Sequence, residues 1–408
     1  MVVIRNYHKE IIMNIVIAHF GTNWVHMSGG VEKVTCNLAN ELARRGHKVT
    51  ILYRDKREGP PYFPLNNDVK QYNILFKNGR KIIQQKLPVT IRAVREIVRI
   101  FSQSRAQGIN AKYKGKSYGP AIKYWLNRLQ PDIIISCSIP SAKYVLVDAD
   151  SHVPVVEMVH SHPSVQFPVL SDAEKTAVKK CKAVQILLPS GLKIAKGYFP
   201  DVPIQVIGNP VFPPPRMACP GQMKDEYIIS CVASISGTKR QLLLCKAFSK
   251  LTKDYPNWKV EFWGTSNNHY ARHMEEWIKQ NNLEDKLEVK GKTDHVEKVY
   301  ERSDIFCLPS RGEGFALAMA EAMSTGVPAV GFKSCTGVAD LIQNGKSGIL
   351  VDENIESLTR ALKFLMDHPE KREEFGKNAA EEMKQFNPSV IWNKWETLLS
   401  DVVQGRIK

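Results

Sequence analysis

Apolar runs that are typical of β-strands alternate with helical patterns along nearly the whole chain. The run "IVIAHFG" (15–21) precedes a helical pattern that ends near Gly46, and "KVTILY" (48–53) follows it. Within this helical pattern, apolar residues recur at the spacing of one helical face: Val31, Val34, Leu38 and Leu42. Short apolar strands separated by helices indicate parallel β-α-β units.

One stretch rich in proline and glycine interrupts the alternation. "GNPVFPPPRMACPGQ" (208–222) cannot form a helix or a central strand, and the alternation restarts at "YIISCVASI" (227–235). We therefore predict the α/β class, with two Rossmann-like doubly wound domains that face each other across a cleft, the expected binding site. The predicted bounds are 13–208 for the first domain, 209–225 for the linker and 226–385 for the second domain, with a last helix at about 386–408 that packs back on the first.

Cysteine usage and the N-terminus restrict the class of protein further. The eight cysteines of the 408-residue chain include no C-x-x-C pair, so we expect neither disulfides nor a cysteine zinc site, and we predict a cytoplasmic protein. No run approaches ~18 consecutive apolar residues, so no transmembrane helix is expected. We interpret the first apolar run as a core strand rather than a signal peptide. Whether Met1 or Met13 is the native start stays open.

Positive charge is concentrated in one segment, residues 77–128. This segment holds 13 lysines and arginines and one acid, whereas the rest of the chain holds 44 bases and 40 acids. One helical face within it carries Arg92, Arg95 and Arg99, and another face is apolar: Ile91, Val94, Ile97, Val98 and Phe101. An ordinary solvated face mixes both signs of charge, so we predict that this segment docks on the anionic inner face of a membrane.

Two alternative interpretations of the basic segment stay open. The first is a core helix with a solvated basic face, which accounts well for the apolar residues. The second is a nucleic-acid-binding surface, which the net charge of +16 favours. Against it, the sequence has no recognised nucleic-acid module and no aromatic residues interleaved as a stacking surface, so we predict no nucleic-acid partner.

The stretch "EGFALAMAEA" (313–322) places two glutamates eight positions apart, between an apolar strand and a helix that begins at about Ala316. The free N–H groups and the positive dipole end of a helix start favour a diphosphate. Glu313 can accept hydrogen bonds from a group attached to that diphosphate, and Glu321, five residues into the helix and so ~7.5 Å along its axis from the helix start, can bind a vicinal diol. The pattern predicts a nucleotide-sugar site. Alternatively, Glu313 caps the helix and Glu321 is solvated.

The same region resembles the signature of retaining glycosyltransferases of the GT-B fold, of the family 4 type. That signature reads E-G-F-G-L-x-x-x-E-A-M-A-x-G-x-P-V-V, and this chain has E-G-F-A-L-A-M-A-E-A-M-S-T-G-V-P-A-V, with Ala316 where glycine is usual. The resemblance implies that Glu313 meets the donor sugar and Glu321 the ribose. It implies a donor-binding set around the helix start: Glu313, Gly314, Phe315, Ala316, Leu317 and Glu321.

Two further segments carry the resemblance. "GGVEKVTCNLANELARRGHKVTIL" is similar to the family's first glycine loop, in which Gly29 and Gly30, the second assigned to donor binding, would let the backbone approach the diphosphate or the acceptor. "VASISGTKRQLLLCKAF" resembles a segment whose arginine and lysine neutralise the donor's phosphates, and here Lys239 matches the lysine while Ser234 replaces the arginine. Arg240 is the alternative source of that charge, although adjacent helix positions point about 100° apart.

Histidine and aspartate candidates complete the set. His160, at the end of "VPVVEMVH", matches the family's histidine near the reacting sugar carbon, and the resemblance implies catalytic roles for Glu313, His160 and Lys239. His162 is the substitute, and a structural role for His160 is equally open. The D-x-D pair of Asp148 and Asp150 is a possible metal-binding pattern, but its surroundings indicate a helix end and a turn, so we predict no metal and no cofactor.

The resemblance implies an enzyme that transfers a sugar from a nucleotide-diphosphate donor to an acceptor hydroxyl with retention. We expect a saccharide or lipid-linked acceptor, as in bacterial surface polysaccharide or glycolipid assembly. The alternatives are a nucleotide-sugar epimerase or a glycogen-type synthase of the same fold, and, outside the enzymes, a basic nucleic-acid-binding protein.

Overall fold

The computed structural model describes residues 11–77, 79–83, 88–101 and 103–407. The chain forms two compact units. Unit 1 comprises Met1–Leu187, Gly191–Ile207 and Trp392–Lys408, and unit 2 comprises Leu188–Ser190 and Gly208–Ile391. Of the two candidate start residues, Met1 lies outside the described residues, whereas Met13 is buried directly before the first strand.

Unit 1 is built on a parallel sheet with the strand order β3-β2-β1-β6-β7-β8-β9. Ile15 of the central strand β1 lies between Val49 and Ile133 of its two neighbours. The central strands are mostly apolar and almost fully buried, as expected for a parallel sheet with both faces covered. The strands, with the short hairpin β4–β5, are β1 (Asn14–His19), β2 (Lys48–Tyr53), β3 (Lys70–Asn73), β4 (Phe76–Lys77), β5 (Arg80–Lys81), β6 (Ile133–Ser136), β7 (Val155–Val159), β8 (Ala183–Ile186) and β9 (Ile204–Val206).

Helices connect these strands. They are α1 (Gly30–Arg44), α2 (Val89–Phe101), α3 (Gln103–Leu129), α4 (Ile139–Lys143), α5 (Pro163–Gln166), α6 (Asp172–Lys180) and α7 (Leu192–Tyr198). The apolar face predicted for the first helix packs inward, because Val34, Leu38 and Leu42 of α1 are all buried.

Unit 2 repeats the architecture with the strand order β12-β11-β10-β13-β14-β15, all parallel. Its strands are β10 (Tyr227–Val232), β11 (Trp258–Trp263), β12 (Leu287–Gly291), β13 (Ile305–Leu308), β14 (Ala329–Phe332) and β15 (Gly348–Val351). Its helices are α8 (Gln241–Ser249), α9 (His269–Gln280), α10 (Val296–Arg302), α11 (Leu317–Ser324), α12 (Thr336–Ala339), α13 (Ile355–Asp367) and α14 (Pro369–Met383). The predicted fold class, two Rossmann-like α/β domains, is confirmed.

The predicted linker is irregular, since residues 207–226 form neither helix nor strand. Buried Arg372 fixes part of it within unit 2, because its Nε donates to the Pro220 carbonyl at 2.7 Å. The last helix, α15 (Pro388–Val403), belongs to unit 2 up to Ile391 and to unit 1 beyond it. In unit 1, Glu396 of this helix lies 2.8 Å from the ring of His47.

Helix α2 carries the apolar and basic faces predicted for the basic segment, and none of its residues is buried. Val94, Ile97 and Phe101 are 53%, 59% and 84% exposed. The alternative of a core helix is therefore wrong, because a core helix would bury this apolar stripe. Arg95 and Arg99 both pair with Glu96, the acid of the same helix, and Arg92 is exposed.

The D-x-D pair lies where the sequence pattern placed it. Asp148 ends a π-helical turn, Tyr144–Asp148, and binds Lys143 at 2.6 Å. Asp150 follows with a φ of 50°, so the prediction of a helix end and a turn is confirmed. Among the helices that the structure describes, none combines the length and the apolar character that a membrane crossing requires.

Candidate functional site

Glu313 lies in the loop between β13 and α11 of unit 2. Its Oε1 accepts hydrogen bonds from Lys239 Nζ at 2.5 Å and from Ser310 Oγ at 2.7 Å, and its side chain is only 11% exposed. The N-cap of α11 is Ala316, without a side-chain cap. The alternative that Glu313 caps the helix is therefore wrong, and the carboxylate is instead oriented by a cation and a hydroxyl.

Lys239 reaches Glu313 from the loop between β10 and α8. The Lys239 N–H donates to the Ser236 carbonyl at 3.0 Å, which folds this loop into a tight turn. The N–H of Arg311 donates to the Thr238 carbonyl at 2.9 Å, so the two loops are tied together at their backbones. The structure thus brings Lys239 and Glu313 together, as a preorganised charge pair next to the start of α11.

Arg240 is directed elsewhere. It is the N-cap of α8 with a φ of 58°, so Lys239 and Arg240 both precede the helix, and the expectation that they occupy adjacent helix positions is wrong. The Arg240 guanidinium pairs with Glu353 and lies 5.7 Å from the centroid of the Phe332 ring. Arg240 thus has left-handed rather than helical backbone, and its guanidinium is bound to Glu353 rather than to Glu313.

The start of α11 is held closely by its surroundings. Phe315 packs edge-on against Phe386 at 5.0 Å, and Ala316 is buried. A side chain at position 337 would collide with the Glu313 backbone, which explains the glycine there. The N–H groups of Ala316 and Leu317 already meet carbonyls, at 3.5 and 2.7 Å, so those two groups are not free as the sequence suggested. Gly314 lies between Glu313 and Phe315 in the same loop.

Glu321 lies on the second turn of α11. It is partly buried, and the Tyr300 hydroxyl donates to its Oε2 at 3.2 Å. The alternative that Glu321 is simply solvated is therefore wrong. Tyr300 belongs to α10, 21 positions from Glu321, and burial raises the pKa of its hydroxyl well above the usual value. The hydrogen bond fixes the Glu321 carboxylate in one orientation.

Unit 1 has its own cavity, of about 150 Å³, at the carboxyl ends of β1 and β7. Its lining includes His19, Thr22, Ser138 and His160. Ligands of α/β sheets bind at this edge. Gly30 begins α1 nearby in the chain, directly after the N-cap Gly29. Cavity and glycine turn together make this edge of unit 1 a candidate site of its own.

A hydrogen-bonded network that the sequence patterns did not indicate reaches this cavity through His19 and Thr22, and its His19 and Glu32 are buried whereas Thr22 is exposed. The Thr22 hydroxyl donates to Glu32 Oε1 at 2.9 Å and lies 3.0 Å from His19 Nε2, which is 3.5 Å from the same carboxylate oxygen. Burial alone would raise the pKa of Glu32, but the bonds with His19 and Thr22 lower it overall. The carboxylate therefore stays charged. Its sequence signal was an acid in the first turn after the glycine pair, in "GGVEKV".

His160 lines the cavity, and His162 does not. His160 Nε2 is buried and makes no hydrogen bond with the part of the chain that the structure describes. Burial and the neighbouring His19 lower the pKa of His160 to about 4, so its ring is neutral at physiological pH. His162 instead caps α5, with Nδ1 2.7 Å from the Ser164 hydroxyl. The geometry favours His160 over its substitute.

Two family models match the chain. The model for Glycosyltransferase Family 4 matches residues 28–212, and the model for Glycosyl transferases group 1 matches residues 219–382. The first covers most of unit 1 and the second most of unit 2, including both glutamates of the "EGFALAMAEA" stretch.

Curated relatives match along nearly the whole chain. An exopolysaccharide phosphotransferase of Streptomyces coelicolor is 24% identical over 95% of this chain, which spans 41% of that protein. An uncharacterised glycosyltransferase of Haemophilus influenzae is 24% identical over 91% of this chain and 96% of its own length. A Campylobacter jejuni N-acetyl-D-galactosaminyltransferase named for a PP-undecaprenol-linked saccharide is 22% identical over 92% of this chain and 96% of its own.

Solved structures share the fold. Sucrose-phosphate synthase from Thermosynechococcus elongatus superposes with a TM-score of 0.74 at 16% identity, over 96% of this chain and 99% of its own. HepE from Anabaena, in complex with UDP and glucose, superposes with a TM-score of 0.68 at 15% identity, over 95% of this chain and 99% of its own.

Proposed function

Since the chain belongs to the family 4-type glycosyltransferases of the GT-B fold, we propose that it transfers a sugar from a nucleoside-diphosphate donor to a hydroxyl of a saccharide acceptor. One observation carries the proposal: a charged pair, Lys239 and Glu313, stands beside the start of α11. The HepE complex with UDP and glucose supports the donor class by analogy.

The proposed step needs charge stabilisation more than covalent catalysis. The bond from the sugar's anomeric carbon to the diphosphate oxygen breaks, and a bond to the acceptor oxygen forms. Lys239 and the dipole of α11 stabilise the charge that develops on the departing diphosphate. For this, Lys239 exchanges part of its contact with Glu313 for the phosphate, which leaves Glu313 to accept hydrogen bonds from the donor sugar.

We infer retention of the anomeric configuration. The acceptor would then attack from the face that the diphosphate leaves, and its hydroxyl proton would pass to the departing phosphate oxygen. Glu313 is already bound to a lysine and a serine, which favours a binding role over one as a nucleophile. In unit 1, the unpartnered Nε2 of His160 offers a neutral hydrogen-bonding group for a sugar hydroxyl.

A screen of nucleotide sugars by mass spectrometry tests the proposal. Incubated with UDP-, GDP- and ADP-linked sugars, the protein should slowly hydrolyse one donor or transfer its sugar to an added glycan. The anomeric coupling constant of the product, measured by NMR, should match that of the donor. Hydrolysis of none of them, or an inverted product, would contradict the proposal or its stereochemical part, and conversion of a donor into its epimer would favour the epimerase alternative.

We further propose that the acceptor is lipid-linked and that α2 docks on the anionic inner face of a membrane. The exposed apolar residues of α2 and its three arginines suit an interfacial helix. The Campylobacter relative is named for a PP-undecaprenol saccharide, which supports an acceptor of this kind by analogy. Each base near an anionic surface contributes ~1 kcal/mol, so the arginines supply reversible binding.

Vesicle flotation tests the membrane proposal. The protein should float with vesicles containing phosphatidylglycerol, less so with added salt, and not with pure phosphatidylcholine. Replacing Arg92, Arg95 and Arg99 by glutamine should weaken flotation about 100-fold, at ~1 kcal/mol for each charge. The matched control replaces three exposed lysines of unit 2, Lys250, Lys333 and Lys377, by glutamine and should float normally. Equal flotation of the two triple variants would contradict docking through α2.

A further inference from the structure

A second cavity of unit 1, of about 330 Å³, lies beside the edge strand β3. Tyr53 and Asn73, the last residues of β2 and β3, line it, so it opens at the same edge of the sheet as the cavity of His19 and His160. Its volume falls at the lower end of the range for small-ligand sites. The cavity therefore has room for a small group at the edge where α/β sheets bind ligands.

The wall of this cavity is largely aromatic. Tyr72 of β3 and Trp125 of α3 stack at 4.4 Å, and Tyr124 meets Trp125 edge-on at 5.6 Å. Tyr72 and Trp125 also pack against the core of unit 1, which fixes their rings. Tyr124 is 43% exposed. Rigid rings with exposed surface, next to polar groups, suit the mixed apolar and polar faces of a sugar ring.

The charged groups around the rings are mostly cations. Lys77 and Arg128 are exposed at the cavity, and Lys77 Nζ lies 4.8 Å from the centroid of the Tyr124 ring. Glu58 is the acid of the lining and is exposed as well. A guanidinium and an ammonium favour a carboxylate or phosphate substituent, and the glutamate can accept hydrogen bonds from hydroxyls. Together, these charged side chains favour a sugar that carries one anionic group.

Trp24 connects the two cavities of unit 1. This tryptophan is fully buried, its ring lies 4.9 Å from the His19 ring, and its Nε1 donates to Gln71 Oε1 at 3.1 Å. His19 lines the first cavity, and Gln71 lines the second. One strand, β2, separates β1, which borders the first cavity, from β3, which borders the second, so these bordering strands are offset by about 10 Å, at ~4.8 Å for each strand. That offset suits neighbouring parts of one oligosaccharide.

We propose that the cavity beside β3 is an acceptor subsite for an anionic sugar residue, held while another residue of the same chain receives the new sugar. The proposal rests on the proposed glycosyltransferase function and adds the chemical class of the acceptor. Tyr72, Tyr124 and Trp125 form the apolar wall, and Lys77 and Arg128 bind the carboxylate or phosphate. Because Lys77 and Arg128 belong to the basic segment, this segment would then bind the acceptor as well as the membrane.

Saturation-transfer NMR tests the subsite with two small probes. Methyl glucuronide carries a carboxylate, and methyl glucoside is its neutral counterpart. The glucuronide should bind about tenfold more tightly, the effect of one charged hydrogen bond. Arg128→Ala and Lys77→Ala should each remove most of that difference, and Tyr124→Ala should weaken both probes. Lys123→Ala removes an equal charge from an exposed position of the same helix outside the lining, so it should bind as the wild type does.

Several outcomes would overturn the proposal. They are no saturation transfer to either probe, equal binding of the two, or an equal loss in Lys123→Ala and Arg128→Ala. Competition by inorganic phosphate without any response to Tyr124→Ala would show an anion patch rather than a sugar site. A UDP titration of the same samples separates the two levels of the account: if UDP binds and the glucuronide does not, only the subsite fails.

Discussion

The candidate site of unit 2 and the candidate site of unit 1 differ in how their polar groups are paired. In unit 2, Glu313 and Lys239 satisfy each other at 2.5 Å, so a ligand must displace an existing ion pair. In unit 1, His19 Nδ1 and His160 Nε2 are buried and make no hydrogen bond with the described residues. We therefore expect the site of unit 2 to exchange part of its internal ion pair for contacts with a charged ligand such as a diphosphate. We expect the site of unit 1 to bind neutral hydroxyl groups, with which these ring nitrogens can form hydrogen bonds.

Removing Glu313 should produce the largest effect, because the charge exchange in unit 2 depends on it. In Glu313→Ala, turnover should fall about 1,000-fold, at the upper end for a lost transition-state contact. The thermal midpoint should change little, since Lys239 is partly exposed and can be solvated. Glu353→Ala, which breaks the neighbouring pair with Arg240, is the matched control and should retain most turnover. Equal losses of turnover in Glu313→Ala and Glu353→Ala would contradict a specific role of the Lys239–Glu313 pair in turnover.

Removing Lys239 should produce the second-largest loss of activity. Lys239→Ala should cost roughly 2.7–4 kcal/mol in kcat/KM, the range known for a lost oxyanion donor. Arg240→Ala should cost much less, because its guanidinium binds Glu353 rather than the Glu313 loop. Steady-state kinetics with saturating acceptor would decide between them. A larger loss in Arg240→Ala would identify that residue as the phosphate-binding base.

The pH dependence of stability tests whether the His160 ring is held neutral in the folded chain. Its pKa of about 4 in the folded chain lies below the ordinary value near 6.5, so between these pH values the unfolded chain binds the proton first. Stability should therefore be complete above pH 6.5 and fall as the pH drops toward 4, by roughly 3 kcal/mol at most. In His160→Asn this acid-dependent loss should largely disappear. Urea unfolding at pH 7 and pH 4.5 measures it, and an unchanged pH dependence in the variant would show that the ring is not held neutral.

Glu321 should give the smallest effect of the four. We expect Glu321 to contact the donor's ribose, an interaction that is similar in the ground state and the transition state, so Glu321→Ala should raise the donor KM about tenfold and leave kcat nearly unchanged. Tyr300→Phe, which removes only the hydroxyl that orients the carboxylate, should raise KM less. If kcat fell while KM stayed constant, Glu321 would belong to the reacting centre instead.

Contiguous patterns in the sequence predicted much of this structure. Strands β1, β2 and β10 coincide with apolar runs of the sequence, and strand β13, the loop with Glu313 and helix α11 lie within about 20 consecutive residues. Helix α2 was predicted with both of its faces. The edge strand β3 was missed, since "KQYN" contains no apolar run, and an edge strand needs burial on fewer sides.

Contacts between distant residues were beyond the reach of the sequence patterns. Glu313 lies 74 positions from Lys239, and Tyr300 lies 21 positions from Glu321, so only the folded sheet order brings them together. The buried pairing of His19 with Glu32 was missed for the same reason. Arg240 was misassigned to a helix, because its left-handed backbone is unusual for a residue other than glycine.

Calorimetric titration with UDP, GDP and ADP tests the central claim most directly, because it needs no knowledge of the sugar or the acceptor. We predict that one of these diphosphates binds the wild-type chain, and that Lys239→Ala and Glu321→Ala each weaken its binding at least about tenfold, one charged contact. His160→Asn, in unit 1, should leave its affinity unchanged. Binding that persists undiminished in both unit 2 variants, or no binding of any nucleoside diphosphate, would contradict the account.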